Sequence, residues 1–177
     1  MENGKRVPPA KLAHFVLRSN HFAETKRWYE TVLEARVQYA NDMLAFLTYD
    51  EEHHRLALIN MPNLPDAGKT AGMDHVAFTY NTMGDLVHTY KRLKAAGILP
   101  VWCVNHGPTT SMYYRDPDGN RVELQIDNFA SLEALNGWFH SGEFAKNPIG
   151  STYDPDKLVE KYEQGISAEE LVKQGAI

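Results

Sequence analysis

The chain of 177 residues holds one cysteine, Cys103, so no intrachain disulfide can staple it, and a reducing compartment is expected. No stretch approaches the ~20 apolar residues of a membrane span, and residues 1–13 lack the apolar core of a secretory leader. A soluble, cytoplasmic protein with no membrane partner is expected. Lysine and arginine number 18 against 23 acidic residues, a net charge of −5, and no basic block interrupts that balance. Nucleic acid is therefore excluded as a partner, because nothing supplies the phosphate-neutralising footprint.

What remains is a globular composition, 43% hydrophobic and 11% aromatic, sufficient for a core without staples. At this length folding hides roughly 70% of the unfolded surface. Residues 1–10, with Pro8 and Pro9, read as an extended polar start. A short apolar strand is expected over Leu12–Leu17, carrying His14, followed by a helix over about 23–33 marked by Trp28, Tyr29, Val32 and Leu33. Strands then fit Ala35–Tyr39, Met43–Tyr49 and Arg55–Asn60, and residues 61–72 read as a linker.

The pattern then restarts. Met73–Tyr80 is another apolar strand bearing a histidine, His75, with an N-cap at Asn81–Thr82 and a helix through Leu86, Val87, Tyr90 and Leu93 stopping at Gly97. Leu99–Val104, Ser111–Arg115 and Arg121–Ile126 read as strands, the last two joined by the turn Asp116-Pro117-Asp118-Gly119. An offset of 61 residues places His14 on His75, Asn20 on Asn81 and Tyr29 on Tyr90, so the chain reads as two α+β copies of strand, helix and three strands. Residues 127–177 differ in texture. Short helices are expected around Leu132, Leu135 and Trp138, after the Asp154–Pro155 cap, and after Ser167; their role is packing against the core or a second subunit.

Position separates eight histidines into ordinary and special ones. His14 and His75 each fall within an apolar strand, where an imidazole needs a partner, either an ordinary hydrogen bond or a metal ion. Glu123 lies between Val122 and Leu124, so strand alternation puts it on the opposite face from both. If that face is interior, the carboxylate is paired, protonated or cation-bound; if the strand is an edge, it is solvated. Two histidines and a carboxylate on three strands, with open positions, form the facial set that suits non-haem Fe(II) and oxygen chemistry. Of the adjacent His53 and His54, strand alternation lets only one face that site. His54 shares parity with Leu56 and Leu58, and suits either acid–base work or a fourth metal bond. Tyr113 shares parity with Arg115 across the hairpin from Glu123, and His106 precedes it; together they offer a phenol and an imidazole to a substrate hydroxyl.

These residues resemble the vicinal oxygen chelate superfamily, and within it the type I extradiol catechol dioxygenases. The resemblance covers about residues 11–126 and is carried by HHRLAL at 53–58, GMDHVAF at 72–78 and HGPTTSMYYRDPDGNRVEL at 106–124. It implies two βαβββ modules, about 11–60 and 73–126, curled into a half-open barrel around a metal, with residues 127–177 as a helical C-terminal extension outside the shared core. It implies His14, His75 and Glu123 as ligands of Fe(II), with Mn(II) the alternative. His54 would exchange a proton with substrate, and Tyr113, supported by His106, would hold the reacting oxygen. The expected reaction is ring cleavage of an aromatic diol by O2, in a homodimer. The rival readings are a glyoxalase-like isomerase or lyase, with His54 as a fourth ligand, and a metal-free binding protein of the same superfamily.

Overall fold

The computed structural model describes residues 8–68 and 71–177. Most of the expected polar start, and Lys69 and Thr70 of the expected linker, lie outside the described residues. In chain order the elements are β1 (Phe15–Ser19), α1 (Phe22–Val32), β2 (Arg36–Ala40), β3 (Leu44–Thr48), β4 (Leu56–Asn60), β5 (His75–Thr79), α2 (Met83–Ala95), β6 (Trp102–Asn105), β7 (Thr109–Arg115), β8 (Arg121–Asp127), α3 (Leu132–His140), α4 (Glu143–Lys146), β9 (Ser151–Thr152), α5 (Pro155–Glu163) and α6 (Ala168–Leu171). The chain divides into two compact units, Met1–Asp66 and Ala67–Ile177.

The first unit is one open mixed sheet, β1-β4-β3-β2, with β1 parallel to β4 and the other pairs antiparallel. Helix α1 turns Thr25, Tyr29 and Val32 inward, and Ala45, Leu47, Leu56 and Leu58 are buried on the strands. That face follows from period-2 alternation in the strands meeting period-3.6 spacing in the helix. Strand β1 starts three residues later than the Leu12 start expected for it. Its partner β4 begins at Leu56, opposite Phe15, so residues 12–14 have no ladder to join. The Arg55 guanidinium instead donates to the carbonyls of Leu12 (2.7 Å) and Ala13 (3.1 Å). His14 therefore precedes the strand rather than sitting inside it, and it is exposed.

The second unit repeats the topology: sheet β5-β8-β7-β6, with β5 parallel to β8, extended at its edge by β9. Neither sheet closes on itself, and the fold is α+β. Helix α2 begins with a reciprocal capping box, in which the Thr82 hydroxyl accepts from the Asp85 amide and the Asp85 carboxylate accepts from the Thr82 amide. It buries Leu86, Val87, Tyr90 and Leu93 on the side of β8, where Val122, Leu124 and Ile126 are also buried. The β7–β8 turn closes at Gly119, whose φ of +86° lies in the left-handed region. Asp116 braces it by accepting from the Asn120 amide at 2.8 Å.

The region after residue 126 is not a free-standing addition. Strand β9, which periodicity does not reveal, pairs with β6 through Val104–Thr152 and Asn105–Ser151. Helix α5 packs on α2, with Leu158 fully buried. Asp154 caps α5 through the Asp156 amide, and Ser167 caps α6 through the Glu170 amide.

Candidate functional site

In the second unit, four of the singled-out side chains lie in one connected cluster. Strand β8 is flanked by β5 and β7, so Glu123 is not on an edge, and it is only 4% exposed. Register places it opposite Ala77 on β5 and opposite Tyr113 on β7. Its Oε2 lies 3.0 Å from Nε2 of His75, the first residue of β5. The other ring nitrogen, Nδ1, lies 2.8 Å from the Asp74 carboxylate. A carboxylate only accepts, so Nδ1 carries a proton; Nε2 then meets a second carboxylate with a lone pair facing a lone pair unless a proton or a cation lies between them. The Asp74 carboxyl is held below its usual range, chiefly by that bond to His75 and, against burial, by the Arg121 charge. Arg121 also bonds Asp74 at 2.9 Å and lies 4.8 Å above the Tyr113 ring.

Tyr113 is almost fully buried, stacked on Trp102 with centroids 4.9 Å apart, with the His75 ring edge-on at 5.3 Å and the His106 ring at 6.0 Å. Burial, then the Glu123 charge and a hydrogen bond to it, push its hydroxyl well above the usual phenol range, so it stays a donor at neutral pH. His106 Nε2 stands 3.1 Å from that hydroxyl.

The first unit gathers a histidine cluster of its own. His14 and His54 have ring centroids 4.2 Å apart, and His54 stacks on Phe46 at 4.5 Å and 17°. The Nδ1 atoms of His53 and His54 are 2.6 Å apart, so one donates to the other. This corrects the expectation from strand alternation. Phe46 pairs with Ala57, on the face opposite Leu56 and Leu58, yet His54 stacks on it, because residues 51–54 form a bend before β4 and the pleat does not extend to them. Both histidines of the pair consequently come to the same place. Burial, then the neighbouring His14 and His53, lower the His54 pKa and favour a neutral ring.

Within neither unit, among the described residues, do three His, Cys, Asp or Glu side chains surround one metal position. The His75–Glu123 pair supplies two nitrogen and oxygen donors of the type a divalent iron or manganese takes, with Asp74 as the carboxylate that orients the imidazole. A cleft of about 430 Å³ lined by Gly84, Val87, His88, Lys91, Arg92, Tyr162 and Glu163 shares no residue with either cluster. Sequence reasoning missed Asp74, Arg121 and the part played by His53. Asp74 was detectable as an acid adjoining the histidine, and Arg121 by its parity with Glu123.

The family model for the Glyoxalase/Bleomycin resistance protein/Dioxygenase superfamily matches residues 11–124. The chain belongs to this superfamily. Within it, the chain is 48% identical over 164 residues to biphenyl-2,3-diol 1,2-dioxygenase 3 of Rhodococcus globerulus, covering 91% of this chain and 86% of that protein. It is 43% identical over 163 residues to biphenyl-2,3-diol 1,2-dioxygenase 2 of the same organism, with the same coverage. A share of 91% must run well past residue 126, so the likeness to these superfamily members includes part of the C-terminal region that was expected to lie outside it. The crystal structure of lactoylglutathione lyase from Agrobacterium tumefaciens matches with a TM-score of 0.56 over 68% of this chain and 96% of that one; at 20% identity it is a likeness of superfamily fold alone.

Proposed function

We propose that this chain is an extradiol dioxygenase that opens a catechol-type ring with O2, using Fe(II) held by His14, His75 and Glu123. The observation that carries the reading is the buried Glu123 carboxylate set 3.0 Å from a His75 nitrogen whose ring partner is already committed to Asp74. That arrangement is met by a proton or a cation between the two groups, and the names of the two relatives at 43% and 48% identity, both biphenyl-2,3-diol 1,2-dioxygenases, favour the cation. All three proposed ligands lie inside the matched span of 11–124. Mn(II) is the alternative metal, since the same donors suit both.

Bound Fe(II) supplies Lewis acidity toward both catechol oxygens and the one-electron chemistry that O2 requires. The protein's own groups handle the protons. In the tautomer in which His54 Nδ1–H donates to His53, His54 presents a bare Nε2 that would take a proton from a catechol hydroxyl and return it during ring opening. A neutral ring is what this step needs, and burial beside His14 and His53 favours it. Tyr113 keeps its proton, which at rest has Glu123 and His106 as acceptors and would turn to the substrate oxygen where charge develops once the diol is bound. The substrate is a small aromatic diol. Assembly as a homodimer is expected because two-fold pairs dominate among small soluble enzymes. Cytoplasmic residence rests on the single cysteine; no helix among the described residues is long and apolar enough to cross a membrane.

The test is anaerobic loading with Fe(II), addition of 2,3-dihydroxybiphenyl or catechol, and admission of O2. A yellow ring-opened product is expected. Its absence with both diols, in protein shown to hold stoichiometric iron, would refute the reading.

A further inference from the structure

His106 makes two hydrogen bonds, and they are not equivalent. Its Nε2 meets the Tyr113 hydroxyl at 3.1 Å, while its Nδ1 meets the backbone carbonyl of Ile149 at 2.6 Å. A carbonyl can only accept, so Nδ1 must carry the proton, and in the neutral ring Nε2 is then bare. We propose that the turn at residues 147–150, ahead of β9, is a positioning element of the reaction: through the Ile149 carbonyl it fixes His106 as the Nδ1–H tautomer, so that Nε2 accepts from the Tyr113 side and cannot donate to it.

The turn is held for this purpose by contacts that fix its backbone. The Asn147 side chain accepts from the Gly150 amide at 3.0 Å. Beyond it, β9 pairs with β6, and the Tyr153 amide donates to the Cys103 carbonyl at 3.2 Å. Gly150 has φ +102°, and a Cβ there would stand 2.2 Å from the Asn105 carbonyl oxygen and 2.7 Å from the His106 Cα. Only glycine lets the turn come this close to the residue it orients. From the other side, Gln174 donates to the Asn105 carbonyl at 3.1 Å and Asn105 donates to the Val172 carbonyl at 2.7 Å, so the backbone leading into His106 is clasped by the chain's last segment.

The consequence is a direction. The Tyr113 hydroxyl has one proton and two acceptors, the Glu123 carboxylate and His106 Nε2. With the opposite tautomer, Nε2–H would point at the Tyr113 oxygen, occupy a lone pair and send the hydroxyl proton to Glu123. With the tautomer set by Ile149, that oxygen keeps its lone pairs and the proton has a route away from the carboxylate. The region after residue 126 thereby takes part in the chemistry through a backbone atom. This inference rests on Tyr113 being a site residue, but its decisive readout needs neither metal nor substrate.

The test is the long-range proton–nitrogen spectrum of the full-length, histidine-labelled protein at neutral pH, with His106 assigned by the resonance lost in His106→Gln. A protonated Nδ1 and a bare Nε2 are expected. In Asn147→Ala and Gly150→Ala, each shown folded by circular dichroism, the Nε2–H form should become populated, and kcat for diol cleavage should fall roughly 10- to 100-fold with KM within about twofold. Should Gly150→Ala fail to fold, the milder Asn147→Ala carries the comparison. A bare Nδ1 in the parent, both nitrogens protonated, or variants with shifted amide resonances at 148–151 and an unchanged tautomer would overturn the proposal. Absence of diol cleavage in the parent would refute the proposed reaction while leaving the tautomer result to decide this claim.

Discussion

Replacing Glu123 by glutamine tests the metal centre without leaving a hole. The amide has nearly the carboxylate's volume and still accepts from the Tyr113 hydroxyl, so packing around a residue only 4% exposed is retained. What is lost is the negative charge facing His75 Nε2 at 3.0 Å. A metal that binds only the folded chain stabilises it by about 2.7 kcal/mol when present at 100 times its dissociation constant. For a chain of 177 residues, each kcal/mol moves the melting temperature by roughly 2–4 °C, so anaerobic Fe(II) or Mn(II) should raise the parent Tm by about 5–11 °C. Loss of a charged ligand that weakens binding about 100-fold leaves the same metal concentration near the dissociation constant, worth about 0.4 kcal/mol and only 1–2 °C, by the same relation. Thermal melts of both proteins with and without metal measure this directly. A Glu123→Gln protein with the full metal-induced shift, or a parent with none, would refute the argument.

Three further outcomes are expected. His54→Ala should lower kcat for diol cleavage by roughly 10²- to 10⁴-fold at neutral pH, the usual worth of a positioned base; a variant as fast as the parent removes the assigned role. Asp156 accepts from Tyr90 at 2.7 Å and from Lys94 at 2.5 Å, and these bonds, Lys94 first, lower its pKa. A lowered carboxyl pKa contributes stability above the unfolded value that disappears as pH falls through the folded one. The parent should therefore exceed Asp156→Asn by up to about 1 kcal/mol at pH 7 in urea titrations, and the gap should close on acidification; a gap that widens would contradict the sign. Burial pushes the Cys103 thiol up to about 12, so a disulfide reagent at pH 8 should label it only in denaturant, and rapid labelling of the native protein would show that the site opens.

Much of this molecule is written locally. The spacing of Tyr29 and Val32, and of Leu86, Val87, Tyr90 and Leu93, marks both sheet-facing helices, because a 3.6-residue period and an apolar face are properties of the chain itself. The turn at Asp116–Gly119 sets the hairpin register, and from it the placement of Tyr113 opposite Glu123 follows by counting. Counting fails where the pleat ends. His14 lies ahead of β1 because β4 offers no partner there, and His53 and His54 reach one place because a bend frees them from alternation. The sequence by itself therefore determined the two repeated modules, their helices and the residue types able to bind a metal, since side-chain periodicity and turn chemistry act between near neighbours. Only the tertiary structure decided that Asp74 and Glu123 take opposite nitrogens of His75, and that the Ile149 carbonyl takes one nitrogen of His106. Such partners are chosen by distance in space, and a backbone carbonyl is the same group in every residue, so no sequence pattern announces it.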